Sequence, residues 1–218
     1  MSKHIEFLPS YLIKRYKDWK ATGFEKNKTW YNKIAKEGQN PKIMVISCCD
    51  SRIHVTSIFG AEIGEFFIHR NIANLVPPYR PDGDHHGTSA AVEFAVRTLE
   101  VSNIIVIGHS QCGGVNAGYF LCKSHKPLND FVFVNNWLDI LKPAYNNISN
   151  KFNIENDEQA IKLLEKESIK ISINNLINFP FVKDSILNNK LVLHGLWHNI
   201  GTGEIESLDP KTENFIKI

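Results

Sequence analysis

Two short stretches of the sequence carry residue types able to do metal chemistry. Met44 to Arg52 reads Met-Val-Ile-Ser-Cys-Cys-Asp-Ser-Arg, and Ile104 to Gly114 reads Ile-Ile-Val-Ile-Gly-His-Ser-Gln-Cys-Gly-Gly. In each, an apolar run of strand length stops at small and polar residues, the pattern of a buried parallel strand whose carboxyl end opens onto a site. That edge is where open α/β sheets bind ligands. Two thiolates and an imidazole suit zinc, and three protein ligands with one position open is the catalytic rather than the structural pattern. Zinc held by Cys48, His109 and Cys112 is therefore the expectation. Residues i and i+2 of extended chain share a face, so Cys48 and Asp50 point together while Cys49 points away. His109 and Cys112 are three apart at the mouth of a predicted helix, where both can converge on one ion. Taken singly, each cysteine would read as an inert small hydrophobe. Cys-x-Asp-x-Arg and His-x-x-Cys at two strand ends are harder to explain that way.

The surrounding elements must position these groups. Leu8, Leu12, Tyr16 and Trp19 fall at helical spacing, and Trp30 with Ile34 repeats it after Thr22-Gly23, so two amphipathic helices precede the first strand. Gly38-Gln39-Asn40-Pro41 is a turn feeding a strand over 42–47. A short helix is expected over 54–61, a second buried strand over 65–69, and a loop over 76–87 by its proline and glycine punctuation. Thr88 or Ser89 should cap a helix reaching Leu99, with Val92, Ala95, Val96 and Leu99 inside and a Glu93–Arg97 pair outside. A helix starts near Gly113, whose free N–H groups can receive an anion. Residues 131–145 and 159–176 are helical by period, the latter with a stripe of Ile169, Ile173, Leu176 and Ile177. Leu191 to His198 is the last strong strand and Glu204 to Leu208 its antiparallel neighbour. His194 and His198 read as satisfied core or edge histidines. His85 and His86 beside Asp84 could pass for a second metal site but read as solvated loop residues. The expected fold is one α/β domain over 1–218: a mainly parallel four-stranded sheet with an antiparallel edge strand, helices on both faces and an N-terminal helical arm over 1–37.

Composition narrows the class. A chain of 218 residues, 43% hydrophobic and 22% charged, is ordinary for a globular protein. A net charge of +2 with no long run of like charges argues against nucleic acid or an anionic membrane as partner. No apolar segment approaches eighteen residues and Met1 to Phe7 is no targeting peptide, so a cytoplasmic location is expected. Four cysteines, two of them adjacent, fit no disulfide framework, and the chain lacks Cys-x-x-Cys, so thiol redox chemistry is disfavoured. Neither a Walker motif nor a Gly-x-Gly-x-x-Gly fingerprint calls for a nucleotide.

Cys48-Cys49-Asp50-Ser51-Arg52, then His69-Arg70-Asn71-Ile72-Ala73-Asn74-Leu75-Val76, then Gly108-His109-Ser110-Gln111-Cys112-Gly113-Gly114, resemble the three signature blocks of the β-class carbonic anhydrases, in its plant-like subgroup. The resemblance implies reversible hydration of CO2 to bicarbonate and a proton by zinc-bound hydroxide, in a homodimer or dimer of dimers whose N-terminal helices wrap the partner. It implies that Gln39, offered by the neighbouring subunit, hydrogen-bonds substrate and that Phe67 and Ile72 line the pocket. Phe94 stands where many members carry tyrosine. Two thiolates should leave a metal-bound water less acidic than the value of about 7 reached on three histidines. Asp50, accepting a hydrogen bond from the hydroxide, is the compensating group. Arg52 would keep it ionised and off the metal, except in a closed state where Asp50 itself ligates. Some bacterial members close in this way when bicarbonate binds a second site that resembles a Trp and a Gly; Val45 and Ser47 stand in those places here, so an open site is expected. Two rivals remain at this point: a hydrolase of the same fold acting on carbon disulfide or carbonyl sulfide, and a closed, non-catalytic zinc protein.

Overall fold

The structure, a computed structural model, describes residues 4–82, 85–128 and 130–218. The chain divides into two compact units, Met1–Asn40 and Pro41–Ile218. In the first, α1 (Ser10–Trp19) runs through a π-helical segment, Lys20–Phe24, toward α2 (Lys28–Glu37). The π turn falls at the Thr22-Gly23 break in the periodicity. There Gly23 leaves room for the Trp19 indole, which a Cβ would meet at 3.1 Å, and Trp19 also lies against Tyr16, Phe24 and Tyr31. Leu12, Tyr16, Trp19 and Trp30 remain exposed.

The second unit is built on a six-stranded sheet of order β2-β1-β3-β4-β5-β6. Its strands are β1 (Ile43–Cys48), β2 (Phe66–Asn71), β3 (Asn103–His109), β4 (Val192–His198), β5 (Ile205–Leu208) and β6 (Phe215–Lys217). The first four are parallel and the last two antiparallel. The expected parallel core and antiparallel neighbour are present. The strand β6, three residues long, carries too little pattern to be read from the chain.

Alternation along the central strands builds two layers, because successive side chains leave a strand on opposite faces. Met44, Ile46, Ile104 and Val106 face α4 (Gly87–Glu93) and the π-helical turn that continues it (Phe94–Thr98), α8 (Asp157–Ile177), and the N-cap residue of α9 (Pro180–Leu187), through Val92, Val96, Ile169, Leu176 and Phe179. Val45, Ile107 and Leu196 face the other way, onto Ile53 and Val55 at the start of the short α3 (Val55–Phe59). A third cluster joins α5 (Gly113–Ser124), α6 (Val132–Leu138), α7 (Lys142–Lys151) and α8, and it contains Cys48 and Cys112.

Several local expectations need correction. The helix near Thr88 starts earlier, at Gly87, and neither Thr88 nor Ser89 caps it. The Thr88 hydroxyl is committed elsewhere, 2.9 Å from His69 Nε2 and 3.3 Å from Asn71 Nδ2. The single helix expected over 131–145 is two, joined by a 3-10 turn at Asp139–Leu141, and the second restarts with Pro143 in its first turn, where a missing N–H costs nothing. Helix α9, opened by Pro180, went unread. The strand expected to be buried over 65–69 is β2, which lies at the sheet edge with no fully buried residue and leaves Ile68 exposed. Val92, Ala95 and Val96 are buried as expected and Glu93 pairs with Arg97 at 3.4 Å, while Asn156 caps α8 through the Gln159 N–H.

Candidate metal centre

Parallel register brings the polar ends of the central strands to one edge. Cys48 lies opposite Asn71, Ser47 opposite Ile107, and His109 opposite His198. Beyond β3 the chain turns through Gln111, at φ 56°, and enters α5 with Cys112 as its N-cap residue. The turn folds Cys112 back beside the end of β1. The sulfurs of Cys48 and Cys112 are 3.8 Å apart, and with one His109 ring nitrogen they form a group whose ligand atoms all lie within 4.8 Å of one another. All three residues are at most 4% exposed, whereas Cys49 is exposed. Among the described residues this is the one group of its kind. Asp84, beside His85 and His86, lies outside them.

The donor set fits a zinc ion. His109 Nδ1 lies 2.9 Å from its neighbour's carbonyl, Ser110 O, which fixes the proton on Nδ1 and leaves Nε2 with a free lone pair. That Nε2 is buried with no hydrogen-bond partner. A buried polar atom without a partner is costly, and here it faces two thiols. The thiols titrate against each other. Cys48 is pushed down to about 4 by the Cys112 hydrogen bond, against burial, with the backbone at Asp50 and Ala73 helping. Cys112 is pushed up, first by Cys48 and then by burial, although the backbone N–H groups of Val115 and Gly114 oppose this. Two buried sulfurs this close share one proton unless a cation takes its place.

Beside the thiols, Arg52 grips Asp50 as a fork: Nε donates to Oδ1 at 3.0 Å and Nη2 to Oδ2 at 2.7 Å. The Arg52 backbone N–H adds a third bond to Oδ1 at 2.9 Å. The Arg52 side chain holds the Asp50 carboxyl far below the ordinary carboxylate range. Asp50 Oδ2 is 3.9 Å from His109 Nε2, so the carboxylate borders the ligand group while staying on the arginine. Arg52 Nη2 also donates to Gln111 O at 3.0 Å. Arg70 ties the other side, with Nε to Cys48 O at 2.9 Å and Nη2 to Asp50 O at 2.7 Å.

The remaining expected residues are spread more widely. Ile72 is 40% exposed and sits against the start of α5, where a Cβ on Gly114 would lie 2.7 Å from its Cγ2. Gly113 begins that helix. Phe67 packs into the core layer beside the Phe94 ring at 5.9 Å. Gln39 is exposed in the N-terminal unit. His194 meets Asn103 at 2.9 Å, as a satisfied histidine should, but the buried His198 Nδ1 has no partner and so departs from the expectation. One functional neighbour escaped the sequence reading. Glu165 of α8, 3% exposed, accepts the Cys112 N–H at 3.2 Å and the Trp197 indole N–H at 3.2 Å. Its signal was a charge inside the buried stripe Glu165, Ile169, Ser172, Leu176.

Comparison with known proteins agrees with this geometry. The family described as Carbonic anhydrase matches residues 43–205. Beta carbonic anhydrase 3 of Arabidopsis thaliana is 39% identical over 196 residues, which are 89% of this chain and 75% of that protein. The solved structure of the beta-carbonic anhydrase CcaA superposes with a TM-score of 0.87 at 28% identity, covering 95% of this chain and 91% of that one. One of two tetrameric beta-carbonic anhydrases from Sordaria macrospora does so with a TM-score of 0.78 at 30% identity, covering 91% and 95%. The chain belongs to the carbonic anhydrase family, in its β class. Its activity is that of a carbonate dehydratase, the zinc-dependent lyase that interconverts CO2 and bicarbonate.

Proposed function

We propose that CO2 hydration in this chain runs at a zinc ion held by Cys48 Sγ, His109 Nε2 and Cys112 Sγ. The observation that carries the reading is the buried, unpartnered Nε2 of His109 facing two buried sulfurs. Bound there, zinc supplies a Lewis acid that brings the pKa of a water toward neutrality. Asp50 accepts a hydrogen bond from the attacking oxygen at Oδ2 and so fixes which lone pair faces the CO2 carbon. Arg52 keeps that acceptor ionised, so the proton lost in the reaction is not stored on Asp50. CO2 is apolar and the product is an anion. Ile72 and Phe67 serve as apolar wall for the first, and the N–H of Gly113 at the start of α5 suits the charge of the second. Gln39, on the strength of the resemblance, adds a substrate hydrogen bond from a partner subunit. The closed alternative would need Asp50 as fourth ligand, and its carboxylate is spent on Arg52.

The working assembly is a homodimer or a dimer of dimers in a reducing, cytoplasmic compartment. Support comes from the exposed aromatic row of the first unit and from four unbridged cysteines. Among the described residues no helix is long and apolar enough to cross a membrane. Zinc content and CO2 hydration measured on one purified sample test the centre. Cys48→Ser and Cys112→Ser should each lose both, and Cys49→Ser should keep both. Equal zinc loss in the Cys49 variant would reassign the ligand.

A further inference from the structure

We propose that Glu165 is a positioning residue of the metal centre: it holds the turn that delivers Cys112 and, through that turn, holds Arg52 on Asp50. The inference rests on the zinc reading above. Glu165 projects from the middle of α8 into the interior, 3% exposed, and no cation pairs with it among the described residues. What faces it instead is a set of donors. The Cys112 N–H reaches Oε1 at 3.2 Å and the Trp197 indole N–H reaches Oε2 at 3.2 Å. A carboxylate accepts on both oxygens and presents no hydrogen of its own when ionised, whereas the amide of glutamine would turn an NH2 toward one of these donors.

The turn needs an anchor. Gln111 takes a left-handed conformation, φ 56°, unfavourable for a residue with a side chain, immediately before a metal ligand. On its outer side the turn is tied to β4 and the chain beyond it: Ser110 N–H donates to His198 O at 2.9 Å, and Ser110 Oγ accepts the Ile200 N–H at 2.9 Å. On its inner side Glu165 supplies the tie. With the Cys112 N–H turned inward to Glu165, the same turn presents the Gln111 carbonyl outward, where Arg52 Nη2 meets it at 3.0 Å. One buried carboxylate thereby sets both the place of a ligand sulfur and the seat of the arginine that orients Asp50.

The test compares wild type, Glu165→Gln, Arg52→Ala and the double variant. Zinc release to a chelator should be about tenfold faster in Glu165→Gln than in wild type, the size usual for a lost partner behind a metal ligand. The loss in kcat/KM per bound zinc on Glu165→Gln should shrink at least about threefold when Arg52 is already alanine, because residues in one network are not additive. A role in general stability alone would lower kcat/KM by the same factor in both backgrounds. If Glu165→Gln does not accumulate as folded protein, Glu165→Asp, which withdraws the charge by one methylene, takes its place in the same comparison. Zinc release within twofold of wild type, or equal factors in both backgrounds, overturns the proposal. A wild type that neither retains zinc nor hydrates CO2 overturns the functional reading too, and that result is visible before any variant is compared.

Discussion

Asp50 and Arg52 are two residues apart, yet their pairing is fixed by contacts from distant parts of the chain. Arg52 spends Nη2 on both Oδ2 and the Gln111 carbonyl, and Arg70 ties the Cys48 and Asp50 carbonyls beneath. Drawing Arg52 away would require a ligand that binds better when the pair is broken, since a ligand shifts an equilibrium only by its differential affinity. Val45 is fully buried and offers no donor for a bicarbonate ion, and Ser47 presents only a buried hydroxyl. Inhibition by bicarbonate should therefore be hyperbolic, and a zinc-loaded structure near pH 8 should keep Asp50 on Arg52. A sigmoidal response, or Asp50 bonded to the metal, would show that the switch survives without an indole. Glu165 gives a pH signature of its own. Burial raises its pKa above the unfolded value of about 4.3. Between those two values the folded state holds a proton that the unfolded state has released, so stability falls as pH rises through the window. Denaturation of wild type and Glu165→Gln across pH should show wild type losing ground from about pH 4.3 upward; parallel curves would mean that the carboxyl is not perturbed. Cys48 could be told from Cys49 in the sequence because the alternation of a strand is local. The role of Glu165 could not, because its partner Cys112 is 53 positions away.

At the scale of elements, α8 is the piece that joins sheet and centre. Its Ile169 side chain closes on the sheet where β3 and β4 carry glycine. A Cβ at Gly108 would lie 2.9 Å from Ile169 Cδ1, and one at Gly195 would lie 2.9 Å from Ile173 Cδ1, 3.0 Å from Ile169 Cγ2 and 3.2 Å from Leu208 Cβ. The two absent side chains let the helix descend far enough for Glu165 to reach the ligand turn. Gly195→Ala crowds two helix side chains and a Cβ of the neighbouring strand at once, so it should cost about 1–3 kcal/mol, the usual range for overpacking. Urea denaturation of the zinc-free protein checks this, and a loss below about 0.5 kcal/mol, within the range of ordinary surface substitutions, would mean that α8 has slack. The stripe on α8 was legible only in part: Ile169 and Leu176 are buried as expected, but Ile177 is exposed, and the buried face runs on through Ser172 and Glu165 instead. The break between α6 and α7, the start of α4 and the existence of β6 were not legible. Each is decided by a partner outside its own segment or by a run too short to show a period.

For the molecule as a whole, the first unit poses a packing question that its own residues do not answer. Leu12, Tyr16 and Trp30 are 38%, 55% and 40% exposed, on helices with no buried residue at all. Amphipathic helices gain most of their stability by burying an apolar face, and water is a poor partner for a row of aromatic rings. A second copy of the chain is the occupant we propose, and it would also bring Gln39 to a neighbouring centre. Sedimentation of wild type should then give a dimer or a multiple of it. Leu12→Glu with Tyr16→Glu should give monomer that retains zinc, because every ligand comes from the unit Pro41–Ile218. That monomer should hydrate CO2 more slowly by a factor similar to that of Gln39→Ala in the intact assembly, since both remove the same hydrogen bond from substrate. A monomer as active as wild type, or a Gln39→Ala enzyme of unchanged rate, would confine the glutamine to its turn and leave the arm with a purely structural task.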